Sequence, residues 1–301
     1  MSRRLLCALL AASLAAGLWA QRNTGPAPAD FHFAVIGDRA GSPEPGVYER
    51  AWYEINLFGP AFVINVGDTI RGGGDDSKIE EQWREAKAIL EPYRHIPFYY
   101  IPGNHDIWSE ASRRAYIGES GRPCHYSFNH GPLHVTVLDN SQAGDGALPD
   151  AELQFLEADL AAHKAQPLKL VVFHKPFWIE PIEQGRTDFA LHLLAKQYGV
   201  THIVSGHGHR FVHMLHDGVD YMEVGSSGGT MRGKLVRGEG FAQGCFYHYV
   251  LAHVRNGRLD FVVKELPPPY GQARFFPAAA WDSKGPRFDS NAPTLPAIPG
   301  R

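Results

Sequence analysis

The sequence predicts an α/β fold built around parallel strands, and three observations support this prediction. Strand-like and helix-like segments alternate through residues 31–101, which is typical of parallel pairing with right-handed crossovers. The segment Ala61–Val66 is apolar throughout, as expected of a strand that is buried on both faces. Several strand-like segments end in a polar residue, as at Gly37-Asp38, and such strand ends are where ligands bind in α/β folds.

The first part of the chain supplies three strands and two helices. Phe31–Ile36 is the first strand, and a helix is expected over about Val47–Phe58, where a following proline ends it. The second strand, Ala61–Val66, leads through a Gly-rich loop to a helix over Lys78–Leu90 with apolar residues on one face. The third strand, Phe98–Ile101, stops at a Pro-Gly turn.

The second part of the chain is richer in strands. Tyr126–Phe128 and Leu133–Leu138 are separated by Asn-His-Gly-Pro, which indicates a hairpin. The remaining predicted elements are a helix at Asp150–Ala162, a buried strand at Leu168–Phe173, a helix at Thr187–Tyr198, and strands at Val200–Val204, Phe211–Leu215, Tyr221–Val224, Tyr247–Arg255 and Arg258–Lys264.

The composition bounds the functional classes. A chain of 301 residues is long enough for one large domain or two small ones with an apolar core. The formal net charge is −3 with acids and bases interspersed, so no basic surface for nucleic acid is indicated. The 16 histidines exceed the usual share, and histidine is the commonest metal ligand.

The two ends of the chain differ in composition from the predicted domain between them. Residues 1–20 resemble a signal peptide, because Arg3 and Arg4 precede a short apolar run with small residues at Ala15 and Ala20. An uncleaved membrane anchor is the alternative. Residues 21–30 are expected to be a linker, residues 31–266 the domain, and residues 267–301 a Pro-rich tail. We therefore expect a periplasmic or secreted protein with no membrane attachment after cleavage.

Two cysteines lie outside the signal-like segment. Cys124 and Cys245 could form a disulfide or remain separate thiols.

The polar residues at the strand ends form one set of metal-ligand types. Each of them alone has an ordinary structural explanation, such as a helix cap, a turn or a satisfied core histidine. Two carboxylates, one amide oxygen and three imidazoles at successive strand ends are instead the ligands of two borderline divalent metals. These residues are Asp38, Asp68, Asn104, His174, His207 and His209.

The motifs that carry these residues resemble those of the calcineurin-like metallophosphoesterase family, in the metallo-dependent phosphatase superfamily. The series runs Gly37-Asp38, Gly67-Asp68, Gly103-Asn104-His105-Asp106, His174 and Gly206-His207-Gly208-His209, in the family's order, over about Phe31 to Lys264. The resemblance implies a four-layer α/β/β/α sandwich of two facing mixed sheets. It also implies hydrolysis of a phosphomonoester or phosphodiester by a metal-bridging hydroxide.

The resemblance also implies a role for each residue. The first metal would be held by Asp38 and His209, and Asp68 would bridge the two metals. The second metal would be held by Asn104, His174 and His207. The metals themselves, Mn, Fe or Zn, are not identified by the motifs.

One position departs from the family pattern. Most members carry Asp-x-His at the first block, whereas this chain has Ala40 in place of that histidine. Purple acid phosphatases also lack it and recruit a tyrosine, but the equivalent position here is Arg71. The first metal site is therefore expected to be short of one protein ligand. A degraded, non-catalytic member that binds a ligand or a partner is the alternative function.

Residues beside the ligands are candidates for the substrate. His105 is expected to face the phosphate as a catalytic and substrate-binding residue rather than to bind metal. Arg39 and Arg71 follow ligand positions and suit phosphate oxygens, although surface arginines are an equal alternative. The aromatic residues Trp108 and Trp178 follow ligand-bearing turns and would line the leaving-group side or pack in the core.

Overall fold

The computed structural model describes residues 29–144, 147–231 and 244–266, together with the backbones of 275–277, 281–282 and 285–286. The predicted signal peptide and nearly all of the linker lie outside these residues. Within the described part of the chain, every helix is too short or too polar to cross a bilayer. Both Cys124 and Cys245 are buried free thiols, so of the two alternatives the structure has the separate thiols.

Two six-stranded mixed sheets form the centre of the molecule. Sheet 1 comprises β1 (Phe31–Ile36), β2 (Val63–Asn65), β3 (Phe98–Tyr99), β10 (His248–Arg255), β11 (Arg258–Glu265) and β12 (Phe275–Pro277). Sheet 2 comprises β4 (Tyr126–His130), β5 (Leu133–Val137), β6 (Leu168–Val172), β7 (His202–Ser205), β8 (Phe211–His216) and β9 (Val219–Val224).

Sheet 1 has the spatial order β12-β11-β10-β1-β2-β3, and sheet 2 has the order β4-β5-β6-β7-β9-β8. Strands β1–β3 of sheet 1 and strands β5, β6, β7 and β9 of sheet 2 are parallel, and the other pairings are antiparallel. A separate hairpin is formed by β13 (Trp281–Asp282) and β14 (Gly285–Pro286).

Helices cover the outer faces of both sheets. They are α1 (Val47–Phe58), α2 (Ile79–Leu90), α3 (Glu110–Ser120), α4 (Asp150–Ala162), α5 (Ile179–Glu183) and α6 (Ala190–Tyr198), with short 3₁₀ turns at Asp76–Lys78 and Glu91–Tyr93. Helix α1 packs on sheet 1 through residues that include Trp52, and helices α4 and α6 pack on sheet 2 through residues that include Leu156 and Leu191. The four-layer α/β/β/α sandwich expected from the resemblance is confirmed.

Successive side chains of a strand point to opposite faces of its sheet. Apolar cores therefore form in three places: between the two sheets, and between each sheet and its helices. In β1, Phe33 and Val35 belong to the core between the sheets, whereas Ala34 and Ile36 belong to the core under α1. A strand with apolar residues at every position can pack against the facing sheet on one side and against helices on the other. For this reason the continuous apolar runs of the sequence predict buried strands.

Some elements were not predicted. Helix α3 begins at a capping box in which Ser109 and Ser112 exchange side-chain and backbone hydrogen bonds, but its few apolar positions hide the helical period. Strands β12 to β14 fall in the Pro-rich tail, where composition argued against regular structure. The predicted helix at Thr187–Tyr198 begins later, at Ala190.

Candidate metal centre

The strand ends of both sheets meet at one edge of the sandwich. Asp38, Asp68 and Asn104 follow the three parallel strands of sheet 1, and His174 and His207 follow β6 and β7 of sheet 2. Because the carboxyl ends of the parallel strands face the same edge, side chains far apart in sequence lie within hydrogen-bonding distance there.

One donor group consists of Asp38, Asp68 and His209, whose ligand atoms all lie within 4.8 Å of one another. The Nε2 atom of His209 is 3.3 Å from Oδ2 of Asp38. The other carboxylate oxygen of Asp38, Oδ1, is buried and has no hydrogen-bond partner among the described residues. A buried carboxylate oxygen without a donor is costly unless a cation satisfies it, so this group fits a metal ion.

A second donor group consists of Asp68, His174 and His207, again within 4.8 Å. Nε2 of His174 lies 3.3 Å from Oδ1 of Asp68 and 3.2 Å from Nδ1 of His207. It also lies 2.9 Å from Oδ1 of Asn104, which adds the amide oxygen to this group. Asp68 belongs to both groups, the position at which the resemblance places a bridging ligand.

The backbone fixes which nitrogen two of these imidazoles offer. Nδ1 of His174 donates to the Val66 carbonyl at 2.8 Å, and Nδ1 of His209 donates to the carbonyl of Thr230. Since a carbonyl only accepts, Nδ1 carries a proton in both rings and Nε2 faces the carboxylates. Such a second contact orients a metal-ligating histidine and sets its tautomer.

The electrostatics of the centre favour positive charge. Burial opposes charge on the imidazoles, but Asp68 and Asp38 outweigh it and raise the pKa of His174 to about 9. Burial likewise works against His209, yet Asp38 raises its pKa. Burial raises the pKa of Asp38 itself, whereas His174 and His105 hold the pKa of Asp68 well below its usual range despite burial. The centre thus retains protons that a divalent cation would displace.

Three of the candidate ligands have left-handed backbone conformations. The φ angles are 57° at Asp68, 77° at His207 and 54° at His209, where glycine would be the unstrained residue. The neighbouring glycines are required by close approach, because a side chain at Gly67 would meet the ring of His174 and one at Gly103 would meet Asp68. The turns therefore bring ligands close together at a cost in backbone energy.

Residues 29–211 match the calcineurin-like phosphoesterase family. The chain belongs to this family. Among curated proteins it is 29% identical over 198 residues to the serine/threonine-protein phosphatase CPPED1 of Danio rerio, a match that covers 60% of this chain and 63% of that protein. It is also 29% identical over 165 residues to a probable glycerophosphodiester phosphodiesterase, GpdQ, of Arcobacter nitrofigilis, covering 50% and 57%.

A solved structure shows the same fold. The purple acid phosphatase PPD1 from yellow lupin (Lupinus luteus) seeds superposes with a TM-score of 0.59 at 14% identity, covering 89% of this chain and 58% of that one. The chain spans about three fifths of the length of each of these three proteins. The chain therefore shares the fold of that purple acid phosphatase.

His105 lies beside the donor groups but in neither of them. Its backbone N–H donates to Oδ1 of Asp68 at 2.8 Å, and its Nδ1 donates to the carbonyl of Arg71 at 2.6 Å. Nδ1 is thus committed to the backbone, and Nε2 is the ring nitrogen left for a further partner. A side chain at Gly72 would meet this ring, so the Gly-rich loop holds the imidazole closely.

The two arginines are placed differently from each other. Arg39 is largely buried, and its Nη1 has no hydrogen-bond partner among the described residues. Arg71 pairs with Glu85 of α2 at 3.1 Å and offers its carbonyl to His105.

The two tryptophans near the ligand-bearing turns also differ. Trp178 is fully buried and packs against Tyr221, so the core alternative holds for it. Trp108 is part-buried and donates to Asp76 at 2.8 Å.

Asp106 is a residue whose importance the sequence did not reveal. Its fully buried carboxylate accepts backbone N–H groups from Asp68, Gly103, Thr69 and Ile70 at 2.7–3.2 Å. Burial, together with the charge of Asp68, raises the pKa of Asp106 to about 8. One side chain therefore ties the turn after β2 to the turn after β3. Its place directly after His105 in the Gly-Asn-His-Asp block was the available signal.

Replacing Asp106 by alanine is expected to lower the free energy of unfolding by at least about 3 kcal/mol, because four buried N–H groups lose their acceptor at about 1–3 kcal/mol each. Urea denaturation of the metal-free protein measures this change. Asp188→Ala, at an exposed carboxylate paired with Arg186, is the control and should leave the free energy of unfolding nearly unchanged. Similar stabilities for the two variants would contradict the assigned role.

A third donor group lies elsewhere, on β5 and at the C-terminal half of α4 and the residue after it. His134, Asp159 and His163 also have donor atoms within 4.8 Å of one another. The rings of His134 and His163, however, are stacked at 4.0 Å with 18° between their planes. A metal lies in the plane of each imidazole that binds it, and two stacked rings share no such point. The carboxylate of Asp159 is instead satisfied by His134, Thr136 and Ser127 as a buried hydrogen-bond network.

Proposed function

We propose that the protein is a metal-dependent phosphoric ester hydrolase that acts on a phosphomonoester or a phosphodiester. The observation that carries this proposal is the pair of donor groups that share Asp68, with His105 beside them and in neither group. The family match supports the reaction class, and the two curated relatives bear the names of a protein phosphatase and of a phosphodiesterase.

The residues fit two divalent cations of the Mn, Fe or Zn type. Asp38, Asp68 and His209 would hold one, and Asp68 with His174 and His207 would hold the other, joined by the amide oxygen of Asn104. Bound divalent cations supply the Lewis acidity and the lowered water pKa on which phosphoester hydrolysis relies. The chain contributes the ligand geometry, which its turns and its Nδ1–carbonyl hydrogen bonds hold in place.

His105 is the proposed catalytic and substrate-binding residue. With Nδ1 held by the Arg71 carbonyl, Nε2 can pass a proton to the leaving oxygen or stabilise charge on the phosphoryl group. Arg39 has an unpartnered Nη1 and is proposed to bind phosphate oxygens. Arg71 is proposed to do so as well, in competition with its ion pair to Glu85.

Export to the periplasm or the medium is proposed on the signal-like residues 1–20. Expression of the full chain with and without these residues, followed by cell fractionation, tests it. Retention of both forms in the cytoplasm would contradict export.

The test of the function is hydrolysis of p-nitrophenyl phosphate and bis-p-nitrophenyl phosphate by the full chain. We expect turnover with Mn²⁺ and none after a chelator, with activity restored when the ion is added back. Full activity in metal-free protein would contradict the proposal. Metal binding without hydrolysis of any ester would instead support the alternative of a ligand-binding family member, which the missing histidine at position 40 favours.

The first donor group is expected to bind its ion more weakly than the second, because Ala40 supplies no imidazole. Ala40→His should tighten that site, although Ala40 is fully buried and the added ring carries a packing cost of about 1–3 kcal/mol. Calorimetric metal titration measures both affinities. Ala40→Leu adds volume without a donor and should not tighten the site. Two equally tight sites in the unmodified protein would contradict this prediction.

Metal binding is expected to tighten as the pH rises. The pKa of His174 in the metal-free protein is about 9, so the ring holds a proton near neutral pH that the ion must displace. The apparent dissociation constant should fall between about pH 6 and about pH 8, with proton release detectable from the buffer dependence of the binding heat. A dissociation constant that does not change over this range would contradict the assignment.

A further inference from the structure

The space between the two sheets contains a cavity of about 400 Å³. It lies where β6, β7 and β9 begin, next to the turn between β10 and β11. This is the amino end of the parallel strands, so the cavity and the candidate metal centre lie at opposite ends of the sandwich. Its volume is that of a small-molecule site rather than of a packing defect.

Three side chains that face this space are polar where the strand pattern calls for apolar ones. His202, His213 and Asp220 lie on the adjacent strands β7, β8 and β9. The residues two positions away on the same strands are core members between the sheets, namely Val204, Phe211 and Met222. Because side chains alternate along a strand, the three polar residues share that inward face. The side chain of Asp220 is 35% exposed and so lies toward the open side of the cavity, whereas those of His202 and His213 are 12% and 10% exposed.

Only one oxygen of the partly exposed Asp220 carboxylate is hydrogen-bonded to a described side chain. Its Oδ1 accepts a hydrogen bond from Nε2 of His213 at 2.7 Å. Its Oδ2 lies 3.6 Å from Nε2 of His202, which is too long for a hydrogen bond. Nδ1 of His202 lies 2.8 Å from the hydroxyl of Thr201. Oδ2 therefore has no hydrogen bond to another described residue and remains available to a donor in the cavity.

The interior of the cavity favours a cation. Burial acts to raise the pKa of Asp220, but His213 and His202 lower it, so the carboxylate is ionised. Burial lowers the pKa of His202 to about 4, so this imidazole is neutral. The ring of Phe261 lies 4.9 Å from that of His202 and adds an aromatic wall. Arg258 is at the exposed rim, 3.9 Å from Asp260.

We infer that this cavity binds a small organic cation in which an ammonium group is carried on an apolar stem. The ammonium would donate to Oδ2 of Asp220, and the stem would pack against Leu168, Leu259 and Phe261. A single metal ion fits less well, because these three polar residues are not among the groups of described residues whose donor atoms all lie within 4.8 Å. The inference does not depend on the proposed phosphoesterase activity.

The test is binding of hexylammonium to the full chain, measured by calorimetry and by thermal shift, with hexan-1-ol as the uncharged probe. Saturable binding of the ammonium is expected, with the alcohol at least about 10-fold weaker, because a charge-assisted hydrogen bond is lost. Asp220→Asn keeps the shape of the side chain and should weaken ammonium binding by at least about 10-fold. Leu259→Trp should also abolish it by filling the cavity.

The matched control is Asp217→Asn, an exposed carboxylate on the same hairpin that pairs with Lys196 and does not line the cavity. Binding should be unchanged in this variant. Four results would overturn the inference: no saturable binding, equal affinity for the alcohol, unchanged binding in folded Asp220→Asn, or unchanged binding in Leu259→Trp. Binding of Zn²⁺ that depends on Asp220 while hexylammonium does not bind would show a metal site instead.

Discussion

Asp68→Asn is expected to reduce the bound metal from two ions to at most one and to lower phosphoester hydrolysis by at least about 10³-fold, since several kcal/mol of transition-state stabilisation would be lost. The reason is geometric, because Asp68 is the only residue that belongs to both donor groups of the candidate centre among the described residues. Asparagine keeps an oxygen that can accept the N–H of His105, so the local turn should survive while the negative charge is lost.

Elemental analysis and turnover with Mn²⁺ measure these two effects. The matched controls are Asn104→Ala and His209→Ala, since each removes a ligand from one group alone and should spare the other ion. The loss of activity should therefore be greater for Asp68→Asn than for either control. Two bound ions in Asp68→Asn, or a smaller loss of activity than in the controls, would refute the bridging role.

His105→Ala is expected to keep both ions and to lose about 10²–10⁴-fold in turnover. The substitution should change turnover without changing metal content, because Nδ1 of His105 is held by a carbonyl and the ring is outside both donor groups. If Nε2 delivers a proton to the leaving oxygen, the loss should be smaller for p-nitrophenyl esters than for alkyl esters, whose leaving oxygen needs the proton more.

The measurement is the ratio of turnover for the two ester classes in the wild type and in His105→Ala, with metal content determined on the same samples. His207→Ala is the control that should lose metal as well as activity. An alanine variant at position 105 that sheds its ions would show that the imidazole is a ligand. An equal loss for both ester classes would leave charge stabilisation as its role rather than proton transfer.

The strand ends could be predicted from sequence because two physical signals coincide there. An apolar run marks a strand that is buried on both faces, and the residue that follows it lies at the sheet edge. Asp38, Asp68 and His174 are predictable as candidate ligands on this ground. The family resemblance then supplied the sandwich of two facing sheets, which alternation and spacing alone do not specify.

Other features depend on contacts that a sequence does not display. Asp106 joins two turns through backbone N–H groups, and nothing in its own neighbourhood shows which N–H groups those are. Asn140 likewise accepts the N–H groups of His174 and Lys175 across a long stretch of chain. The inward positions of His202 and Asp220 follow from the strand register, which places these residues opposite one another on β7 and β9.

His207 and His209 have a left-handed backbone conformation, in which glycine would be less strained than histidine. Selection for heat resistance would therefore favour glycine at these positions, whereas the proposed hydrolysis requires the two imidazoles. Glycine at either position would relieve backbone strain, so a population screened only for survival on heating would accumulate glycine there. A screen that counts folded molecules would then rank inert variants above active ones. Thermostabilisation of this protein therefore has to leave these two codons fixed, or couple every round of heating to an assay of hydrolysis.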